Sequence, residues 1–256
     1  MTQIAIDPNR KIPSVRPIKA YKHMRALIAD KEDTEQVFHV IEALNGDSVV
    51  RRFKEFVNSD AGRRELDKLT YLPPILDDHD WIKELPEKTV GRAYVDFMER
   101  EGLSAQGLVD ENVKFRNAER DHFDDQLEWY LNRIRDTHDL FHVLTGYGRD
   151  ALGEAGVLAF TYGQMRGNGL LFVSFMAARE VKKHIPEGKP MSVFWEAKRA
   201  GKNAGRIMLE DIEALLREPL AEARARLNIP EPLAYRRALR AANEIGVEAR
   251  EIGATA

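Results

Sequence analysis

The chain has 256 residues, 43% of them hydrophobic and 32% charged, with a formal net charge of -3 and no cysteine. That length is ample for a sizeable core, and the near-neutral, interleaved charge lacks the basic footprint of a nucleic-acid binder. Without cysteine there are no disulfides and no thiolate-held metals, so nitrogen and oxygen must ligate any metal.

Residues 1–16 read as an irregular arm, with Pro8, Pro13 and the following Pro17 as breakers. They have no apolar core, so no signal peptide is expected. From 17 to 245 helical signals repeat, which predicts one all-α domain, and 246–256 reads as a frayed tail. Thr34 is a candidate N-cap for a helix with the stripe Val37, Phe38, Ile41 and Leu44, stopped at Asn45-Gly46. A second stripe follows with Val49, Phe53, Phe56 and Val57. Residues 70–89, with three prolines and the acidic run Asp77, Asp78, His79 and Asp80, read as a solvated loop. A helix with Val90, Tyr94, Phe97 and Met98 on one face ends at Gly102. Residues 103–122 read as a polar connection, and Asp121, His122, Asp124 and Asp125 as its solvated end.

One long helix is expected over Asp125–Leu144. After it, 155–178 is the most apolar segment, but Gln164, Arg166 and Asn168 interrupt it before ~18 apolar residues accumulate, which argues against a membrane span. Further helices are expected over Ser192–Glu218, after Pro219 and after Pro232. His23, His39 and His184 have no evident acidic companions and read as structural.

The stretch "THDLFHVLTGYGRDALGE", 137–154, concentrates the chemistry. On a continuous helix His138 and His142 are one turn apart and share a side, with Asp139 ~100° from the first and ~60° from the second. Gly146 and Gly148 suit a tight reversal, and Asp150 can cap the next helix with Glu154 one turn inside it. An αα-hairpin of this kind can converge His138, Asp139, His142 and Glu154 on one metal, as in helix-bundle metal sites. Spacing alone leaves that cage and an ordinary polar helix end equally open.

The pattern His138-Asp139…His142…Glu154 resembles the zinc motif of the Coq-four family of ubiquinone (coenzyme Q) biosynthesis proteins. The segments "LPEKTVGRAYVDFM" (85–98), "WYLNRIRDTHDLFH" (129–142) and the helices of 197–229 resemble the same family, so that the likeness covers roughly 60–230. The connection at 103–122 lacks the family's Pro-Asp-x-Arg-Pro-Pro element. The resemblance implies an all-helical protein that removes the C1 carboxyl group of a polyprenylated 4-hydroxybenzoate-derived intermediate oxidatively, leaving a hydroxyl. It implies zinc as the metal, although a His₂-carboxylate set with an open position also suits Fe²⁺ or Mn²⁺. It further implies a homodimer that binds prenyl lipid, other ubiquinone-biosynthesis proteins as partners and, for a bacterial source, a cytoplasmic protein peripheral on the inner face of the membrane. A prenyl-lipid-binding scaffold with a structural metal, and an unrelated helical metallohydrolase, are the alternatives.

Arg135, three residues before His138, is the candidate to clamp the substrate carboxylate or orient Asp139; its bland counterpart is a surface pair with Asp139. Arg133 reads as solvated. In 155–178, Gly156, Gly163, Gly167 and Gly169 could leave room for a prenyl channel walled by Phe160, Leu170, Leu171, Phe172 and Phe175. Burial gains ~0.8 kcal/mol per methylene. The competing reading is a core helix with glycines for close packing.

Overall fold

The computed structural model describes residues 6–11, 14–30, 33–119 and 123–248. The expected tail beyond 248 lies outside these, as do Asp121 and His122. In chain order α1 (Pro17–Ala29) opens on Pro17, whose fixed φ suits a first turn. α2 (Thr34–Asn45) has Asp33, not Thr34, in the cap position and stops at Gly46 with φ 51°. α3 (Ser48–Val57) and α4 (Asp60–Lys68) are parted at Ser59, whose hydroxyl accepts the Gly62 amide at 3.0 Å.

The stretch expected as a loop holds α5 (Pro73–Leu76) and α6 (His79–Glu84). Prolines in a first turn give up no hydrogen bond, and Asp78 caps the second helix by accepting the Trp81 amide at 3.1 Å. α7 (Val90–Glu101) is capped by Thr89 and ended by Gly102 at φ 66°, as its pattern predicts. The expected connection is instead α8 (Ala105–Glu119). Its cap comes from far away: Asp77 accepts the amides of Ala105 and Gln106 at 2.7 and 2.9 Å.

The expected helix 125–144 is two, α9 (Gln126–Asp136) and α10 (His138–Thr145). At the break the Thr137 hydroxyl donates to the Arg133 carbonyl at 2.8 Å, a back-bond of the kind that bends helices. α11 (Ala151–Met165) and α12 (Asn168–His184) split the apolar segment at Arg166, φ 53°. The expected helix 192–218 is likewise divided into α13 (Pro190–Asn203) and α14 (Ile212–Arg217), with a single 3-10 turn at Ile207–Leu209 between them. α15 (Leu220–Arg226) and α16 (Leu233–Glu244) start after Pro219 and Pro232 as expected. The described residues contain no strand beyond an isolated bridge between Thr89 and Pro219, and the all-α expectation holds.

Two compact units emerge, each drawn from three stretches of chain. The first comprises residues 1–12, 49–144 and 206–227. Phe53 and Phe56 meet Tyr130 in its core, with ring centroids 5.5 and 5.1 Å apart. Arg133, expected to be solvated, is buried here. Its Nε donates to the Met208 carbonyl at 3.2 Å, its guanidinium also reaches the Glu210 carbonyl, and Glu65 lies 3.3 Å away. These carbonyls belong to the interruption before α14, so the buried arginine supplies the partners that the broken helix lacks.

The described part of the N-terminal arm is anchored rather than frayed. Asp125 accepts the Asp7 amide at 2.9 Å and Arg10 Nε at 3.0 Å, and caps α9 at the Glu128 amide. Burial raises the Asp125 carboxyl, but the hydrogen bonds from Arg10 and the two amides outweigh it and hold it below the ordinary carboxylate range. A depressed carboxyl contributes stability above its unfolded value that is lost as pH falls through its folded value. Denaturant unfolding below about pH 4 should therefore show a loss of about 2 kcal/mol in the wild type that is absent in Asp125→Asn.

The second unit comprises 13–48, 145–205 and 228–256. α11 lies against α12 and α13, and α2 joins α1 to α12 through a cluster of Ala20, Met24, Leu27, Val40, Ala43 and Val173. Its glycines are seats for neighbours. A Cβ on Gly163 would stand 2.6 Å from the Gly201 carbonyl carbon, and one on Gly169 would stand 2.4 Å from Ile41 Cα. The close-packing reading of these glycines is the one the structure bears out. His39 also departs from expectation: Glu35 lies 3.4 Å from its Nε2, and its ring stacks on His23 at 4.1 Å.

Candidate metal centre

Three of the four expected ligands come together on α10. His138, Asp139 and His142 each offer a ligating atom, all within 4.8 Å of one another. The first turn supplies His138 and Asp139 and the second supplies His142, so the grouping follows from helical spacing even though the helix behind it is broken at Thr137. A tetrahedral ion with ligands about 2.1 Å away needs donors about 3.4 Å apart, which this spacing accommodates. Two imidazoles and a carboxylate are a donor set that suits zinc, Fe²⁺ or Mn²⁺.

The surroundings hold the trio still. His142 is 1% exposed; its ring stacks on Phe97 of α7 at 5.3 Å and meets His138 edge-on at 5.0 Å. At the far end of α10 the Arg224 guanidinium donates to the carbonyls of Leu144 and Val143 at 2.9 and 3.0 Å, satisfying groups that every helix end leaves open. Tyr94, one turn before Phe97, was legible only as a core residue. Its hydroxyl is buried without a hydrogen-bond partner among the described residues. Burial, reinforced by the charges of Asp139, Asp77 and Asp136, pushes it well above the ordinary phenol range.

Arg135 does not make the expected pair with Asp139. It holds Asp136, with Nε at 2.7 Å and Nη2 at 2.6 Å from the same carboxylate oxygen, while Nη1 reaches Asn132 Oδ1 at 3.1 Å. The break at Thr137 accounts for this, because the projection that aligned Arg135 with Asp139 assumed an unbroken helix. Burial pushes the Asp136 carboxyl up against the lowering pull of Arg135. Of the two acidic runs, Asp77, Asp78 and Asp125 are helix caps.

Glu154 belongs to the second unit, in the first turn of α11. Asp150 caps that helix as expected, accepting the amides of Leu152 and Gly153 at 3.1 and 3.0 Å. The reversal before it is held by a residue that carries no local signal in the sequence. Tyr235 of α16 accepts the Gly148 amide at 3.1 Å and donates to the Asp150 carboxylate. Arg149 Nε stands 3.9 Å from the Glu154 carboxylate.

The family model described as coenzyme Q (ubiquinone) biosynthesis protein Coq4 matches residues 19–232. The mitochondrial ubiquinone biosynthesis protein COQ4 of Scheffersomyces stipitis is 25% identical over 238 residues, 88% of this chain and 70% of that protein. The mitochondrial COQ4 homolog of Aedes aegypti is 30% identical over 182 residues, 67% of this chain and 60% of its own length. A crystal structure from Nostoc punctiforme, whose title ties it to ubiquinone biosynthesis, superposes with a TM-score of 0.62 at 19% identity, covering 85% of this chain and all of that one. That likeness is one of fold. With the match spanning both α7 and the trio on α10, the chain belongs to the coenzyme Q (ubiquinone) biosynthesis protein Coq4 family.

Proposed function

We propose that this protein carries out the oxidative C1 decarboxylation of a polyprenylated 4-hydroxybenzoate-derived intermediate of ubiquinone biosynthesis. The observation that supports it is the trio of half-buried His138 with buried Asp139 and His142, within the stretch shared with the family. Those three residues, with Glu154 as the fourth ligand, would hold a divalent metal, zinc first and Fe²⁺ or Mn²⁺ otherwise. When bound, such an ion supplies Lewis acidity towards the carboxylate and the neighbouring ring oxygens.

In the overall change the bond between C1 and the carboxyl carbon breaks, carbon dioxide leaves, and an oxygen atom from dioxygen becomes the ring hydroxyl. Half a dioxygen molecule per ring balances the atoms. The chain's own part is to orient the ring and exclude water, for which Phe97, stacked on the His142 ring, offers an apolar face beside the trio. Among the described residues no helix is long and apolar enough to cross a membrane. A lipid substrate must nevertheless be collected, which supports a peripheral position on a membrane surface and a prenyl-binding site, while the family match supports work beside other pathway proteins. The decisive experiment incubates purified, metal-defined protein with a prenylated hydroxybenzoate and dioxygen and follows the product by mass. Loss of carbon dioxide with gain of one oxygen is expected. Lipid bound but unchanged would favour the scaffold.

Arg135, whose Nε and Nη2 hold Asp136 in the free protein, would turn its guanidinium to the substrate carboxylate and clamp it with two hydrogen bonds, which lysine cannot do. Arg135→Lys should lower turnover about ten- to a hundredfold with metal content unchanged. A fall in thermal stability with normal turnover would assign the residue to Asp136 instead.

A further inference from the structure

We propose that α1 is the face by which the protein docks on an anionic lipid surface. This deepens the membrane-surface part of the proposed function without depending on the chemistry of the metal centre. α1 buries Ala20, Met24 and Leu27, so the opposite side should be polar. It is not uniformly so: Ile18 is 87% exposed and Tyr21 57% exposed. Lys22 and Arg25 are exposed too. Ile18, Lys22 and Arg25 stand at i, i+4 and i+7, which is one stripe of a helix, and Tyr21 adjoins it.

The charge of the segment is one-sided. Residues 14–29 contain Arg16, Lys19, Lys22 and Arg25 and no aspartate or glutamate, in a chain whose net charge is -3. Arg16 pairs with Glu42 at 3.5 Å and Asp30 caps the far end of α1, so the stripe itself is carried by Lys22 and Arg25. A net negative protein is repelled by an anionic bilayer except through such a patch, so the patch also orients it. Apolar side chains that enter the headgroup boundary, rimmed by cations, are the pattern of a helix lying in a membrane interface. A second copy of the same stripe would bring like charges together, which disfavours a dimer here.

The test is flotation of the full chain with phosphatidylcholine vesicles, with and without phosphatidylglycerol. Wild type should float with the anionic vesicles and scarcely with the neutral ones. Lys22→Gln and Arg25→Gln should each lower partitioning about fivefold, and Ile18→Ser about tenfold or more. Circular dichroism should be unchanged, since all three side chains face solvent. Variants that float like wild type would overturn the assignment to α1 while leaving membrane association standing. Wild type that never floats would overturn both. A dimer dissolved by Ile18→Ser with flotation unaltered would show that a second copy occupies the face. None of these readouts needs turnover, so a failed activity assay leaves the proposal to be judged on its own.

Discussion

His142→Gln is expected to lower metal affinity by more than about 100-fold, beyond the 10–100-fold typical of losing a mere supporting group. Glutamine keeps most of the volume against Phe97, so helical content should persist while elemental analysis of dialysed protein shows the metal gone. Glu154→Gln is the sharper half of the experiment, because Glu154 sits in the other compact unit from the trio. Equal loss in both variants would establish a four-residue site. Retention in Glu154→Gln alone would reduce the site to His138, Asp139 and His142, and full occupancy in both would remove the assignment.

The largest expected loss of stability belongs to Arg133. Its side chain is 1% exposed and faces Glu65, itself 7% exposed. Burial alone pushes the Arg133 pKa down, with the Glu65 charge opposing it. Arg133→Met should cost about 3–5 kcal/mol, because it strands two carbonyls and takes from the buried Glu65 one of its two cationic partners, leaving only Lys68 at 3.0 Å. For a chain of this size that is a fall of roughly 6–20 °C in Tm, measurable by calorimetry. Combining it with Glu65→Gln should recover part of the loss, since the buried carboxylate that then has Lys68 as its only cation is gone. Additive losses in the double variant would mean that the ion pair carries little and the carbonyl contacts most of the effect.

What was legible in the sequence and what was not divides along a physical line. Helix α7 was readable because its apolar stripe and its Gly102 stop are local. So was the Asp150 cap, and so was the grouping of His138, Asp139 and His142, which needs only one turn of helix. The rest depends on partners distant in the chain. α8 is capped by Asp77, 28 residues earlier. The interruption before α14 is stabilised by Arg133, 75 residues before Met208. Tyr235 fastens the Gly148–Asp150 reversal from 87 residues beyond Gly148. The unbroken helix through Thr137 was wrong for a subtler reason, since a threonine back-bond is local but only one of several rotamers makes it. That error also set Arg135 beside Asp139, whereas its guanidinium holds Asp136.

The division of each unit among three separated stretches sets an order of events during synthesis. The first unit lacks its Met208 and Glu210 carbonyls, the partners of Arg133, until the last quarter of the chain has been made. The second lacks Tyr235 until later still. Neither can close behind the ribosome as an early domain would, and contacts of such long sequence separation form slowly. A growing chain therefore carries α7 and α10, and after them the apolar α11 and α12, without their later partners until those residues are made, the state in which hydrophobic helices aggregate. A chain released early, before α16, would leave the reversal that leads into Glu154 without its tyrosine clasp.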